Sequence, residues 1–132
     1  MIAVVTGSTG LTGALLLSKL ILDKEITQVI SVSRRALSFT HPKLKSVIIS
    51  DFSHLLDHQN ELKGDLYFCA LGTTIKEAKT KENFRKVDYD AVVSFGKIAE
   101  HHQAYSLVCI SASGANAESS LFYNRVKGEA EA

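Results

Sequence analysis

Residues 1–20, MIAVVTGSTGLTGALLLSKL, join a short apolar run to a turn with three glycines and a leucine-rich stretch. Ile2 to Val5 suits a strand covered on both faces of a parallel sheet. Gly7, Gly10 and Gly13 follow at G-x-x-G-x-x-G spacing, and Leu11, Leu15, Leu16 and Leu20 then recur at helical intervals. In such a strand–turn–helix unit the first glycine permits a turn that side chains block. The second lets backbone N–H groups approach a pyrophosphate, and the third lets helix and strand pack closely. The phosphates then meet a helix N-terminus, where unpaired donors and the dipole favour negative charge. Gly7, Ser8, Thr9, Gly10, Leu11, Thr12 and Gly13 are therefore the expected phosphate turn of a dinucleotide site.

The rest of the chain alternates strand-like and helix-like segments. Gln28–Ser33, Ser46–Ser50, Asp65–Ala70 and Ser106–Ser111 read as the second to fifth strands. From Lys81 to His102, Phe84, Val87, Ala91, Val92, Phe95, Ile98 and Ala99 recur as the apolar face of one long amphipathic helix. Alternation of this kind means right-handed crossovers and a doubly wound parallel sheet with helices on both faces. The expected architecture is an α/β Rossmann-type domain spanning residues 1–132, with strand order 3-2-1-4-5 and ligand in the crevice where the order reverses. No internal repeat or interdomain linker interrupts it, and the single proline, Pro42, falls in the loop before the third strand.

Composition bounds the function classes. A chain of 132 residues buries roughly two-thirds of its unfolded surface without disulfide staples. A net charge of +1 with no basic cluster gives no electrostatic case for nucleic acid or membrane binding. Cys69 and Cys109 lie in the apolar runs DLYFCALG and SLVCISAS, which predicts small buried hydrophobes of a reducing compartment. Met1 leads directly into the first strand, so a soluble, cytoplasmic protein is expected. His54 and His58 are spaced i, i+4, and His101 and His102 are adjacent, yet no cysteine or carboxylate completes a zinc pattern and no metal is expected. The charged stretch KEAKTKENFRK reads as a solvated loop and helix start.

The strand ends point at the crevice, so their residues select the ligand. After the second strand, where an NAD site usually places a carboxylate, stand Arg34 and Arg35. Arginine there takes a 2′-phosphate in a bidentate contact, favouring NADP over NAD; the plainer reading is a solvated basic pair. After the third strand, Asp51 and Phe52 are placed to hydrogen-bond and cover an adenine edge, while Asp51 serves equally well as an N-cap. After the fourth, Ala70, Leu71 and Gly72 let a cofactor lie close to the backbone.

A second constellation ends the chain. Ser111 closes the fifth strand, with Ser113 the alternative, and Tyr123-x-x-x-Lys127 places a phenol and an ammonium on one helical face. Lys127 would lower the phenol pKa and hold a nicotinamide ribose, Tyr123 would exchange the proton that accompanies hydride transfer, and Ser111 would hydrogen-bond the substrate oxygen.

With these residues in view, the chain resembles the short-chain dehydrogenase/reductase superfamily, and more closely the atypical NAD(P)-binding proteins related to the mammalian Tat-interacting protein. TGSTGLTG, SRRAL, FCALGTT, ENFRKVDYD, ISASGAN and LFYNRVKGEAEA all carry the resemblance. It implies NADP(H) binding through Gly7, Gly10, Gly13, Arg34 and Arg35, and a Ser111, Tyr123, Lys127 centre, but no particular substrate; the expected activity is that of an oxidoreductase on a small carbonyl or alcohol. It also admits an NADP(H)-sensing regulatory module without turnover. Family members continue well beyond the Tyr-Lys helix, so the chain reads as C-terminally shortened, with an incomplete substrate pocket. The apolar surface this leaves, on the Lys81–His102 helix for instance, favours self-association.

Overall fold

Ile2–Thr6 forms the central strand, β1, of a parallel sheet, and its residues from Ala3 to Thr6 are fully buried, as a run covered on both faces requires. The computed structural model describes residues 1–71, 79–110, 126 and 129–130. Among these, β2 (Gln28–Ser33), β3 (Leu44–Ile48), β4 (Leu66–Cys69) and β5 (Ser106–Cys109) join β1 in the order β3-β2-β1-β4-β5, all parallel. The doubly wound order expected from the alternation is the order found. β3 begins and ends two residues before the Ser46–Ser50 expected, because pairing to Val29–Ser33 of β2 starts at Leu44.

Alternation along the central strands divides the core. Val4, Ile30, Val32 and Tyr67 face the 3₁₀ helix Phe52–Leu62, through Leu55 and Leu62, and helix α3 (Val92–His101), through Phe95 and Ile98. Ala3, Val5 and Val29 face helix α1 (Leu11–Leu22) through Leu17, Leu20 and Ile21. Each fully buried valine, leucine, isoleucine or phenylalanine among them contributes about 1.5–3 kcal/mol. Tyr67 meets Phe95 edge-on at 5.5 Å. Its hydroxyl donates to the Leu62 carbonyl and accepts from the Gly64 N–H at 3.1 Å, so the phenol is buried with its polar end satisfied. Burial raises its pKa.

Three sequence expectations change in the fold. The buried face of α1 is Gly13, Leu17, Leu20 and Ile21, whereas Leu11 and Leu15 are exposed at 84% and 60%. The close approach of Gly13 to the β1 turn rotates that side of the helix toward the sheet. Cys69 is buried, but Cys109, its register partner on β5, is exposed, because β5 is the sheet edge and its contact with the helix Val92–His101, where Leu107 lies beside Gly96, leaves Cys109 uncovered. The third change lies within the long helix, which stays helical from Lys81 to His101 but carries a π-helical turn (Lys86–Ala91) between α2 (Lys81–Arg85) and α3. Thr80 caps its start, its hydroxyl accepting from the Asn83 N–H at 3.1 Å. At its end Gln103 adopts φ 52°, and the Gln103 and Ala104 N–H groups return to the Glu100 and Ala99 carbonyls at 3.0 and 2.9 Å, satisfying the last turn.

Candidate functional site

The carboxyl ends of β1 to β4 open on a cavity of about 740 Å³. One wall comes from strand ends and their loops: Gly7, Thr9 and Gly10 after β1, Ser33 and Arg34 at the end of β2, Ser50 to Ser53 after β3, and Ala70 and Leu71 after β4. The other wall is helical, with Asn83, Lys86, Val87, Asp90, Ala91 and Ser94. The cavity lies across the point where the strand order reverses between β1 and its two neighbours, as expected for a doubly wound sheet.

Two glycines of the turn are demanded by the protein's own backbone. Gly7 sits at φ 83°, and a Cβ there would lie 2.5 Å from the Ala70 carbonyl. A Cβ on Gly13 would lie 1.9 Å from the Gly7 carbonyl oxygen, so no side chain fits where α1 crosses the turn. Gly10 differs: its nearest neighbour to a Cβ is the Gly7 oxygen at 3.5 Å, an ordinary contact. Nothing in the chain's own described packing excludes a side chain at Gly10, which lines the cavity. The residue is also the N-cap of α1, with no side-chain cap and no acidic group in the first turn. The first-turn N–H groups are thus left without a side-chain acceptor.

The remaining expected residues divide. Arg34 lines the cavity, while Arg35 is exposed outside it and uses its carbonyl to accept from the Ser33 hydroxyl at 2.6 Å. Ser8 is buried beneath the turn, its hydroxyl sharing a 2.8 Å hydrogen bond with Ser31, and Leu11 and Thr12 are exposed and line no part of the cavity. Asp51 is the N-cap of the 3₁₀ helix and also lies on the cavity. Its carboxylate caps the 3₁₀ helix by accepting from the Ser53 N–H at 2.9 Å, and it lines the cavity beside half-buried Phe52. The Ser53 backbone N–H, then the Ser53 side chain, and more weakly His54 and Lys86, hold the Asp51 carboxyl below its ordinary value. Gly72, Ser111, Ser113, Tyr123 and Lys127 lie outside the described residues.

The helical wall was missed from sequence. Asn83 and Lys86 belong to the charged stretch that reads as solvated, yet Asn83, Lys86, Asp90 and Ser94 recur at i, i+3, i+7 and i+11. That second, polar periodicity beside the apolar one was the available signal.

The chain matches no protein-family model. It is 33% identical over 132 residues to "Protein FMP52, mitochondrial" of Candida albicans, covering 96% of this chain and 57% of that protein. It is 32% identical to "Protein HTATIP2" of Rattus norvegicus, covering 97% and 54%. The chain thus spans somewhat over half the length of the curated relatives it matches. Among solved structures, uronate dehydrogenase from Agrobacterium tumefaciens superposes with a TM-score of 0.79 at 16% identity, covering 98% of this chain and 53% of that one. The Bordetella bronchiseptica enzyme WbmG in complex with NAD superposes at 0.78 and 12% identity, covering 99% and 48%. These likenesses show the fold.

One expectation is overturned by the relatives. The cytoplasmic location expected from the reduced cysteines and the start on a strand gives way, because the FMP52 proteins are named mitochondrial. Thiols outside disulfides distinguish reducing from oxidising surroundings and carry no address within the cell.

Proposed function

The chain is a homologue of the FMP52 and HTATIP2 proteins, and on that premise we propose that it is an NADP(H)-binding oxidoreductase of the short-chain dehydrogenase type, acting on a small carbonyl or alcohol. Residues 1–132 then form one nucleotide-binding domain. Gly10 carries the reading: it is open to the cavity, not required by the chain's own contacts, and heads a helix without a side-chain cap. A pyrophosphate at that position accounts for the glycine and satisfies the first-turn donors together.

Arg34 supports a phosphate on the adenosine ribose, since it lines the cavity where a carboxylate would otherwise accept from the ribose hydroxyls. Phe52 offers a flat apolar surface to the adenine, and the capped carboxylate of Asp51 offers an acceptor held in one orientation. When bound, the nicotinamide supplies or takes up hydride. Tyr123 Oη would exchange a proton with the substrate oxygen, Ser111 Oγ would hydrogen-bond that oxygen, and Lys127 Nζ would keep the phenol easier to ionise and hold the nicotinamide ribose. The names of the FMP52 relatives favour a mitochondrial setting.

Fluorescence titration with NADPH and NADH tests the proposal. NADPH should bind at least about tenfold more tightly, the size of one charge-assisted contact. Equal affinities would remove the phosphate reading, and no binding of either would remove the nucleotide reading. With binding established, Tyr123→Phe should cut turnover while leaving NADPH affinity nearly intact.

A further inference from the structure

We infer that Lys86 is a second determinant of NADP specificity, reaching the adenosine 2′-phosphate from the helical wall while Arg34 reaches it from the end of β2. This rests on the NADP reading proposed above and adds a residue from the opposite wall. Among the described residues the cavity is lined by four charged side chains: Arg34, Asp51, Lys86 and Asp90. Without Lys86 a phosphomonoester would meet one cation and two carboxylates, an arrangement that repels a dianion. With it, the cations balance the carboxylates before the ligand arrives.

Lys86 has the freedom to take this part. Its described ion pair is with Glu82, one helical turn back, at 3.9 Å, and the two side chains are 62% and 82% exposed. Such an exposed pair at the distance limit holds its members weakly and yields to a doubly charged ligand. Its position is also right: Lys86 opens the π-helical turn, lines the same cavity as Asp51 and Phe52, and is one of the charges whose field lowers the Asp51 carboxyl. Its ammonium therefore acts on the β3 end of the cavity, the end assigned to adenosine. A lysine serves this role as a point charge, complementing the planar fork of Arg34.

The test is titration of the full chain and of Lys86→Ala and Lys86→Arg with NADPH, NADH, adenosine 2′,5′-bisphosphate and adenosine 5′-monophosphate, with Arg34→Ala alongside. Lys86→Ala should weaken NADPH and the bisphosphate about tenfold and leave NADH and the monophosphate within about twofold, and Lys86→Arg should restore most of the loss. The binding of NADPH should also become less salt-dependent in Lys86→Ala. Thermal melting of the ligand-free variant should match the parent, since the side chain is exposed. If Arg34→Ala removes discrimination and Lys86→Ala leaves it unchanged, the inference is overturned and the NADP reading stands. If Lys86→Ala weakens all four ligands equally, Lys86 is no reader of the 2′-phosphate. A parent chain that does not distinguish NADPH from NADH overturns both.

Discussion

The two walls of the cavity are built on opposite terms. The wall after β1 is a backbone object, in which Gly7 and Gly13 leave no space for a Cβ because the Ala70 and Gly7 main chains already occupy it. The helical wall is a side-chain object: Asn83, Lys86 and Asp90 are exposed, and the packing behind them depends on Phe95, Ile98 and Ala99 further along the helix. Shape is thus held where the chain cannot vary without refolding. Exposed charge is carried where it can.

Gly13→Ala should give the largest effect and break the comparison if it does not. A methyl 1.9 Å from the Gly7 oxygen forces α1 away from β1, and a loss of about 3 kcal/mol is expected, read as a fall in Tm of about 10 °C or more. A Tm near that of the parent would mean that this wall is not held by backbone contact. Gly10→Ala comes next. The folded chain should lose about 1 kcal/mol at most, the usual cost of alanine at an N-cap, while NADPH and NADH should both weaken by about tenfold or more. Unchanged affinities in a titration would show that no diphosphate approaches Gly10.

Charge substitutions sharpen the contrast further. Arg34→Ala should weaken NADPH about tenfold with little change for NADH, whereas Arg35→Ala, outside the cavity, should leave both within about twofold. Equal effects from the two would erase the structural distinction between them. The smallest effect belongs to Asp51→Ala, which removes the cap on the Ser53 N–H and should lower Tm slightly. Because the carboxyl is held below its ordinary 3.8, its contribution is present above that value and is lost as pH falls through the lower folded value. The Tm gap between parent and variant should therefore be constant near neutral pH and close only in strong acid. A gap that closes between pH 5 and 7 would assign the effect to another group.

How much of this was legible from the residues varies with the kind of information they carry. The order β3-β2-β1-β4-β5 follows from alternation of apolar runs with helical periods, since handedness and short connections leave few alternatives. Leucine spacing alone does not say which side of α1 meets the sheet; the close helix–strand packing expected at Gly13 does, and Leu17 and Ile21 share its side. For Cys109 two readings of the sequence pull apart: the apolar run SLVC suggests a core strand, whereas the expected order 3-2-1-4-5 puts that strand at an edge, and the edge position is the one that decides its exposure.

By itself, the chain of amino acids determined the strand–turn–helix start, the parallel sheet and the identity of the residues at the strand ends, because these depend on neighbours within a turn or two along the backbone. Only the tertiary structure separated Arg34 from Arg35 and brought Lys86 and Asp90 opposite Asp51. Those relations join residues dozens of positions apart, and they are decided by how a helix lies across a twisted sheet, which periodicity along one segment does not encode.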